Sequence, residues 1–247
     1  MKISIVCVYN NKKILNEYLL NSLKKQDSSY EEILINNTKN KYTSASESLN
    51  NGGLKATSEY IIFLHQDIQF LTKTWLTDTI KIIDTLDNPG IIGVAGKGFK
   101  NNAVISNIKQ GPDKKDVSPY KLEKPMKAST LDECILIIPK KVFNKLQFDE
   151  INCSDWHLYA IDYLLSIQKE GYEAYIIPSK VYHKSSGDSM SNSYYTTLKL
   201  LQKKHRTNLT INTCMGDWLT FLPINFQKKL FKKDVLVTTI NKIKNKF

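Results

Sequence analysis

Tyr60-Ile61-Ile62-Phe63-Leu64-His65-Gln66-Asp67 decides how the rest of the chain is read. Five successive large apolar residues, mostly of types that favour extended backbone, predict a strand buried on both faces, and such strands belong to parallel sheets covered by helices. The run stops abruptly at a histidine, an amide and a carboxylate. Ligands of open α/β sheets bind just beyond the carboxyl ends of the strands, so these three polar residues stand where chemistry is expected. The plainer alternative is that Asp67 caps the following segment and His65 packs at a strand end.

Toward the N-terminus, an apolar strand over 2–9 runs into Asn10-Asn11. Apolar residues at three- and four-residue spacing over 14–23 predict an amphipathic helix, and a second strand over 32–35 ends in Asn36-Asn37. Segment 44–56 has helical spacing but contains Asn50-Asn51-Gly52-Gly53. Each glycine costs about 1 kcal/mol against alanine inside a helix. Either backbone or ligand approaches closely there, or the segment breaks into two short helices. Past the opening stretch come a helix over 75–86, a turn at Asp87-Asn88-Pro89-Gly90 and a buried strand over 91–95. This alternation predicts an α/β fold with parallel strands, right-handed crossovers and a doubly wound sheet. Asn10-Asn11, Asn36-Asn37 and His65-Gln66-Asp67 then share one sheet edge and converge on one crevice.

Segment 96–127 is rich in Asn, Lys, Gly and Pro and reads as a long loop, of the kind that forms lids or binding surfaces. Order returns at a strand over 134–139, preceded by Asp132-Glu133. A helix is expected from about Asp155 to Glu170, closed by Gly171. A strand over 172–177 ends at Pro178, and the short apolar step Val181-Tyr182-His183 again ends in histidine. From Met190 onward helices are expected, lysine-rich on one face, with Trp218, Phe221, Leu222, Phe226, Leu230 and Phe231 supplying an apolar one. The chain contains no internal repeat.

At 247 residues, 41% hydrophobic and 24% charged, the chain can bury a full core and has an ordinary globular balance. Its apolar runs are too short to span a bilayer, and Met1-Lys2 leads straight into a strand without a cleavage site, so a cytoplasmic location is expected. Cys7, Cys134, Cys153 and Cys214 are scattered, which predicts neither disulfides nor structural zinc. The net charge of +11 suits polyanions, whether nucleic acid, an anionic membrane face or phosphorylated ligands. The charge crowds late in the chain, at Lys199, Lys203, Lys204, Arg206, Lys228, Lys229, Lys232, Lys233, Lys242, Lys244 and Lys246, where the bland alternative is a solvated face. No RNP, KH or zinc-finger pattern is present, so nucleic acid is not expected as a partner.

In order and separation, SIVCVYNN, ILINNT, NGGLKATSEYIIFLHQD, TLDECILIIPKKVF and FDEINCSDWHLYAIDYLLSIQKEGYEAYIIPSKVYH resemble a family-2 glycosyltransferase of GT-A fold, in a subgroup with HQD in place of DxD. The resemblance covers roughly residues 1–190. It implies a GT-A domain over 1–189, with a nucleotide-sugar half (1–95) and an acceptor half (96–189), followed by a basic helical extension over 190–247. It further implies a metal-dependent, inverting transfer from a nucleotide-diphosphate sugar to a glycan or lipid-linked acceptor in surface-polysaccharide assembly. The ion would be Mn²⁺ or Mg²⁺, held by Asp67 and His183. Tyr9, Asn10, Asn36, Asn37, Asn51, His65 and Gln66 would serve the donor, His65 touching sugar or phosphate rather than metal. Asp132, Glu133 and His157 would face the acceptor. Inversion needs a carboxylate to take the proton of the acceptor hydroxyl. The family's usual acidic position falls on Ala160, leaving Asp162 and Asp155 as the first candidates and Asp132 or Glu133 behind them. The rival function is a binding protein of the same fold without turnover. A basic, aromatic C-terminal region would hold the protein at the inner face of an anionic membrane.

Overall fold

The computed structural model describes residues 2–99, 103–185 and 190–232. Strand β1 (Ile3–Tyr9) alternates its side chains between two cores, Ile5 and Cys7 in one and Val6 in the other. Asn11 then caps a helical stretch, accepting from the amides of Lys13 and Ile14, both at 3.1 Å. The stretch comprises α1 (Lys12–Leu15), a π-helical turn over Asn16–Leu20 and α2 (Asn21–Leu23). Its Leu15, Leu19 and Leu23, four apart, are buried beside Ile5 and Cys7.

Strand β2 (Glu31–Asn36) pairs parallel with β1, and α3 (Ala45–Lys55) follows, capped by Ser44. The glycine pair lies inside this one continuous helix. A Cβ on Gly52 would run into Val6, and one on Gly53 would stand 2.5 Å from Phe143 and 2.9 Å from Phe63. Close packing of helix on sheet explains both glycines, and the broken-helix alternative is excluded. Strand β3 (Tyr60–His65) lies on the other side of β1, with Val8 opposite His65. After it come β4 (Ile68–Phe70), α4 (Trp75–Ile83) and β5 (Pro89–Gly93).

Segment 96–127 is not the loop expected. It carries most of β6 (Ala95–Gly98), then β7 (Val104–Ser106), β8 (Ile108–Gln110), β9 (Lys115–Asp116) and the start of β10 (Met126–Leu131). These strands are too short to show a period; they pair with one another, β6 with β7 and β10, and β8 with β9, and are anchored to the rest of the chain through β8 on Val181–His183 and β10 on Glu173–Ile176. Beyond β10 come β11 (Ile135–Pro139) and α5 (Lys140–Lys145). Helix α6 (Tyr159–Lys169) starts four residues later than expected, because Leu158 adopts a left-handed conformation with φ of 67°. Gly171 ends it in the left-handed region, as foreseen, and β12 (Glu173–Ile176) and β13 (Val181–His183) follow.

Among the described residues the main sheet has the order β2-β1-β3-β11-β5-β12-β10-β6-β7. β2, β1, β3, β5 and β12 run one way, while β11 and β10 run the other. The doubly wound expectation is corrected to this extent: the sheet is mostly parallel but β11 is wedged antiparallel between β3 and β5. Cys134 therefore meets the carboxyl end of β3, its carbonyl accepting from the His65 amide at 3.1 Å. A second sheet, β4-β13-β8-β9, lays His183 opposite Ile68, next to Asp67 in sequence.

The C-terminal region, where the sequence predicts helices, is helical only in part. It contains α7 (Asn192–Lys204), then a hairpin of β14 (Thr210–Thr213) and β15 (Gly216–Leu219), then α8 (Ile224–Lys232). The hairpin pairs Ile211 with Trp218, both buried in the core that α6 and α7 share. Phe221 and Phe226 are exposed. Lys204, counted with the basic face, turns inward instead. The side chains of Phe231 and Lys232, and Lys233, Lys242, Lys244 and Lys246, lie outside the described residues.

Candidate active site

The carboxyl edge of β1 and β3 opens into a cavity of about 450 Å³ lined by Tyr9, Asn10, Asn37, His65, Gln66, Asp67, Glu133, Trp156, His157 and Tyr159, among others. Gln66 ties the two strand ends together. Its Oε1 accepts from the amides of Asn10 (3.1 Å) and Asn11 (2.9 Å), and its Nε2 donates to Asn10 Oδ1 at 2.7 Å. Asn37 lines the cavity, but its side chain is spent on Tyr42, whose amide and carbonyl it holds.

On one flank of this cavity, one ligand atom from each of His65, Asp67 and His183 lies within 4.8 Å of the others. His183 Nε2 is 3.3 Å from Asp67 Oδ1 and 3.4 Å from His65 Nδ1. Two ring nitrogens that face each other need a shared proton or a cation between them. Burial pushes the Asp67 carboxyl up, but the hydrogen bond and charge of His183 and the charge of His65 outweigh it and hold the group below its usual range. Desolvation lowers the His65 imidazole, reinforced by His183 and opposed by Asp67 and Asp132. The low Asp67 pKa keeps its carboxylate ionised beside a proton-bearing imidazole, and a cation taking that proton's place would find the same carboxylate and neutral rings. Ser185 completes the cluster, its amide donating to Asp67 Oδ2 at 3.1 Å and its hydroxyl 3.3 Å from His183 Nε2. Two imidazoles and a carboxylate fit a divalent ion with open positions left for phosphate.

A second cavity, about 190 Å³, adjoins the first and is lined by residues including Asp132, Glu133, His157, His183, Ser185, Tyr194 and Cys214. His65, Glu133 and His157 are common to both walls. His157 is 3.2 Å from the Ser191 hydroxyl, and burial lowers its pKa.

Several expected site residues lie elsewhere. Asp162 is buried, with Oδ1 2.7 Å from His205 Nε2 and Oδ2 2.7 Å from Lys204 Nζ, and it lines neither cavity. Its helix turns it toward α7, away from the cleft. Asp155 does not cap α6; its carboxylate takes the Trp156 amide, and it too lines neither cavity. Asn36 folds onto Thr38, and Asn51 accepts from Lys55 one helical turn on; both are outside the cavities. Ser185, Trp156 and Tyr159 were missed. The Ser185-Ser186 pair after His183 was the signal for the first, and a tryptophan in the polar stretch before α6 for the second.

The mostly parallel sheet with its helices and a polar cluster at its carboxyl edge has the architecture of the GT-A fold. The profile of a family described as glycosyltransferase-like, related to family 2, matches residues 3–205, and the chain belongs to that family. No curated protein sequence is similar enough to match. Among solved structures, S. aureus TarS 1–349 in complex with UDP-GlcNAc superposes with a TM-score of 0.56 at 17% identity, over 83% of this chain and 66% of that one. The mannosyltransferase PcManGT from Pyrobaculum calidifontis, with GDP-Man and Mn²⁺, gives 0.55 at 12% identity over 84% and 64%. GalNAc-T7 with UDP, GalNAc and Mn²⁺ gives 0.59 at 14% identity over 82% and 48%. At these identities the likeness is one of fold, and the chain spans only 39% of the longer TarS chain. No described helix is long and apolar enough to cross a membrane.

Proposed function

We propose that this chain is a metal-dependent, inverting hexosyltransferase that moves a sugar from a nucleotide-diphosphate sugar to a hydroxyl of a glycan or lipid-linked acceptor in surface-polysaccharide assembly. The observation that carries the reading is the convergence of His65, Asp67 and His183 where the two cavities meet, His65 and Asp67 on the wall of the larger and His65 and His183 on the wall of the smaller. In this reading Tyr9, Asn10 and Asn37 border the nucleotide, and Asp67 and His183 hold the ion with His65 as a third ligand. The bound ion would neutralise charge on the departing diphosphate. With two imidazoles in the set, Mn²⁺ suits the site better than Mg²⁺, which prefers oxygen ligands. The smaller cavity, with Asp132 and His157, receives the acceptor.

The test is thermal stability against UDP, GDP and their sugar conjugates, each with Mn²⁺, with Mg²⁺ and with EDTA. A ligand that binds only the native state raises the melting temperature by mass action. One nucleotide should stabilise with Mn²⁺ alone, and Asp67→Ala should remove the shift. A wild type that responds to no nucleotide at millimolar ligand sinks the donor-site reading. A second reading, a binder without turnover, is favoured by Ala160 and by the engagement of Asp162 with Lys204 and His205. It predicts the same shift and no nucleotide release from any sugar donor.

Work at an anionic membrane surface belongs to the proposal. It is supported by exposed Leu209, Phe221 and Phe226 near Lys203, Arg206 and Lys229, Phe221 sharing a surface depression with Lys203 and Arg206. Apolar insertion beside basic side chains is how such surfaces dock. Vesicles rich in phosphatidylglycerol should sediment the wild type, and less of a Phe221→Ser/Phe226→Ser variant; equal sedimentation removes this element.

A further inference from the structure

Glycosyl transfer to a hydroxyl needs a proton acceptor where donor and acceptor spaces meet, and neither Asp162 nor Asp155 is there. We infer that Glu133, on the wall shared by the two cavities, is the base that takes the proton from the attacking hydroxyl. The inference rests on the glycosyltransferase reading and adds to it the residue that makes turnover possible.

Four observations carry it. Among the described residues, Glu133 is the one carboxylate that borders both cavities; Asp67 borders only the larger and Asp132 only the smaller. Its position follows from the sheet: the antiparallel β11 starts beside the end of β3, with Ile135 opposite Leu64, so the residue two before β11 arrives at the metal-side edge. Its carboxylate is held by backbone and not by a cation. Oε1 accepts from the Ala160 amide at 3.2 Å, and the amides of Leu158 and Tyr159 also contribute. No lysine, arginine or histidine pairs with it among the described residues, so its charge is not neutralised by a partner. The left-handed Leu158 turns these successive amides into an anion-holding concavity at the start of α6. Where the family resemblance leads one to expect a carboxylate, Ala160 thus supplies an amide that holds the carboxylate of Glu133.

The protonation behaviour agrees with this geometry. Burial pushes the Glu133 carboxyl up to about 8, against the pull of the amides. A base is most effective with a pKa near the working pH, where it is available ionised and still takes a proton readily. In the step itself, the acceptor oxygen bonds to the anomeric carbon, the bond from that carbon to the diphosphate oxygen breaks with its electron pair leaving on the diphosphate, and the hydroxyl proton passes to Glu133.

The rival explanation is that Glu133 merely caps α6. Glu133→Gln separates the two, since the amide oxygen still accepts from the Ala160 amide but cannot take a proton. The assay follows nucleoside diphosphate release from UDP-GlcNAc, UDP-glucose, UDP-galactose and GDP-mannose with Mn²⁺, water serving as the acceptor, alongside the thermal shift given by UDP or GDP with Mn²⁺. Glu133→Gln should keep the wild-type thermal shift and lose about 10²- to 10⁴-fold in release, while Glu133→Asp keeps an intermediate rate. Release by Glu133→Gln at the wild-type rate overturns the inference. So does a loss of the thermal shift together with release, which marks a structural cap. A wild type that shows the thermal shift but releases from no donor overturns it as well and leaves the binder. A wild type without the shift instead brings down the donor-site reading underneath.

Discussion

Two ionic clusters in this molecule both set aspartate against histidine and behave as opposites. His65, Asp67 and His183 stand on the wall of a cleft, with Asp67 and His183 side chains 15% and 8% exposed. Asp149, Lys204, Asp162 and His205 tie α6 to α7, with the Asp162 and His205 side chains 2% and 0% exposed. In the second cluster each Asp162 oxygen has a cationic or imidazole partner at 2.7 Å. In the first, the imidazoles point at each other and the carboxylate is shared loosely, at 3.3 Å. The filled cluster is a joint between helices. The other presents lone pairs, which is what a ligand site requires, and residue type alone does not distinguish them.

The contrast can be broken most forcefully at Lys204. Removing one partner of a buried ion pair leaves its mate charged and unsolvated, so Lys204→Met should cost about 3–5 kcal/mol in urea denaturation. Asp67→Asn, in the open cluster, should leave the urea midpoint almost unmoved. Next in size is the cation itself. His183→Ala should weaken Mn²⁺ binding, read by titration calorimetry, by more than the roughly 10- to 100-fold seen when a metal site loses only an outer-shell partner. A variant binding Mn²⁺ as tightly as the wild type would remove the distinction between the clusters.

A smaller effect sharpens the view that helix α3 is placed by backbone contact. Gly53→Ala puts a methyl against Phe143 and Phe63 and should cost about 1–3 kcal/mol by overpacking, with the donor nucleotide still bound. The last prediction concerns pH. Glu133 titrates from about 8 in the folded protein, against 4.5 as its ordinary value. Between those values the folded state holds a proton that the unfolded chain has lost, so this group's contribution to stability falls as pH rises and is gone above about 8. In metal-free buffer Glu133→Gln should therefore melt higher than the wild type at pH 9 and converge with it near pH 4.5.

The fold was legible wherever a segment carried its own pattern. The strand over 60–64, the first two strands and the helices over 44–56 and 75–86 announced themselves by apolar period and by caps such as Ser44. The cluster of His65, Asp67 and His183 was legible as polar residues that follow apolar runs. Direction and partnership were not legible. Ile135 to Pro139 reads equally well as a strand in either sense, and only its pairing with β3 makes it antiparallel. Lys204 looks like one more solvated lysine until Asp162, 42 residues earlier, is seen beneath it. The short strands within 96–127 have no period of their own, and Leu158's left-handed backbone, which delays α6 and gathers the amides around Glu133, has no glycine to signal it.

The wedge of β11 also sets the order in which the protein can come into being. β3 is synthesised some 70 residues before the strand that covers its second edge, with Ile135 pairing back to Leu64. Pairings of that sequence separation form slowly because a long loop must close first. Until then a nascent chain presents an apolar strand with an open edge, the element most prone to mispairing. The event that ends this exposure also carries Glu133 to His65. Maturation of the sheet and assembly of the cleft are therefore one step, and a nascent chain cut short before residue 135 has neither.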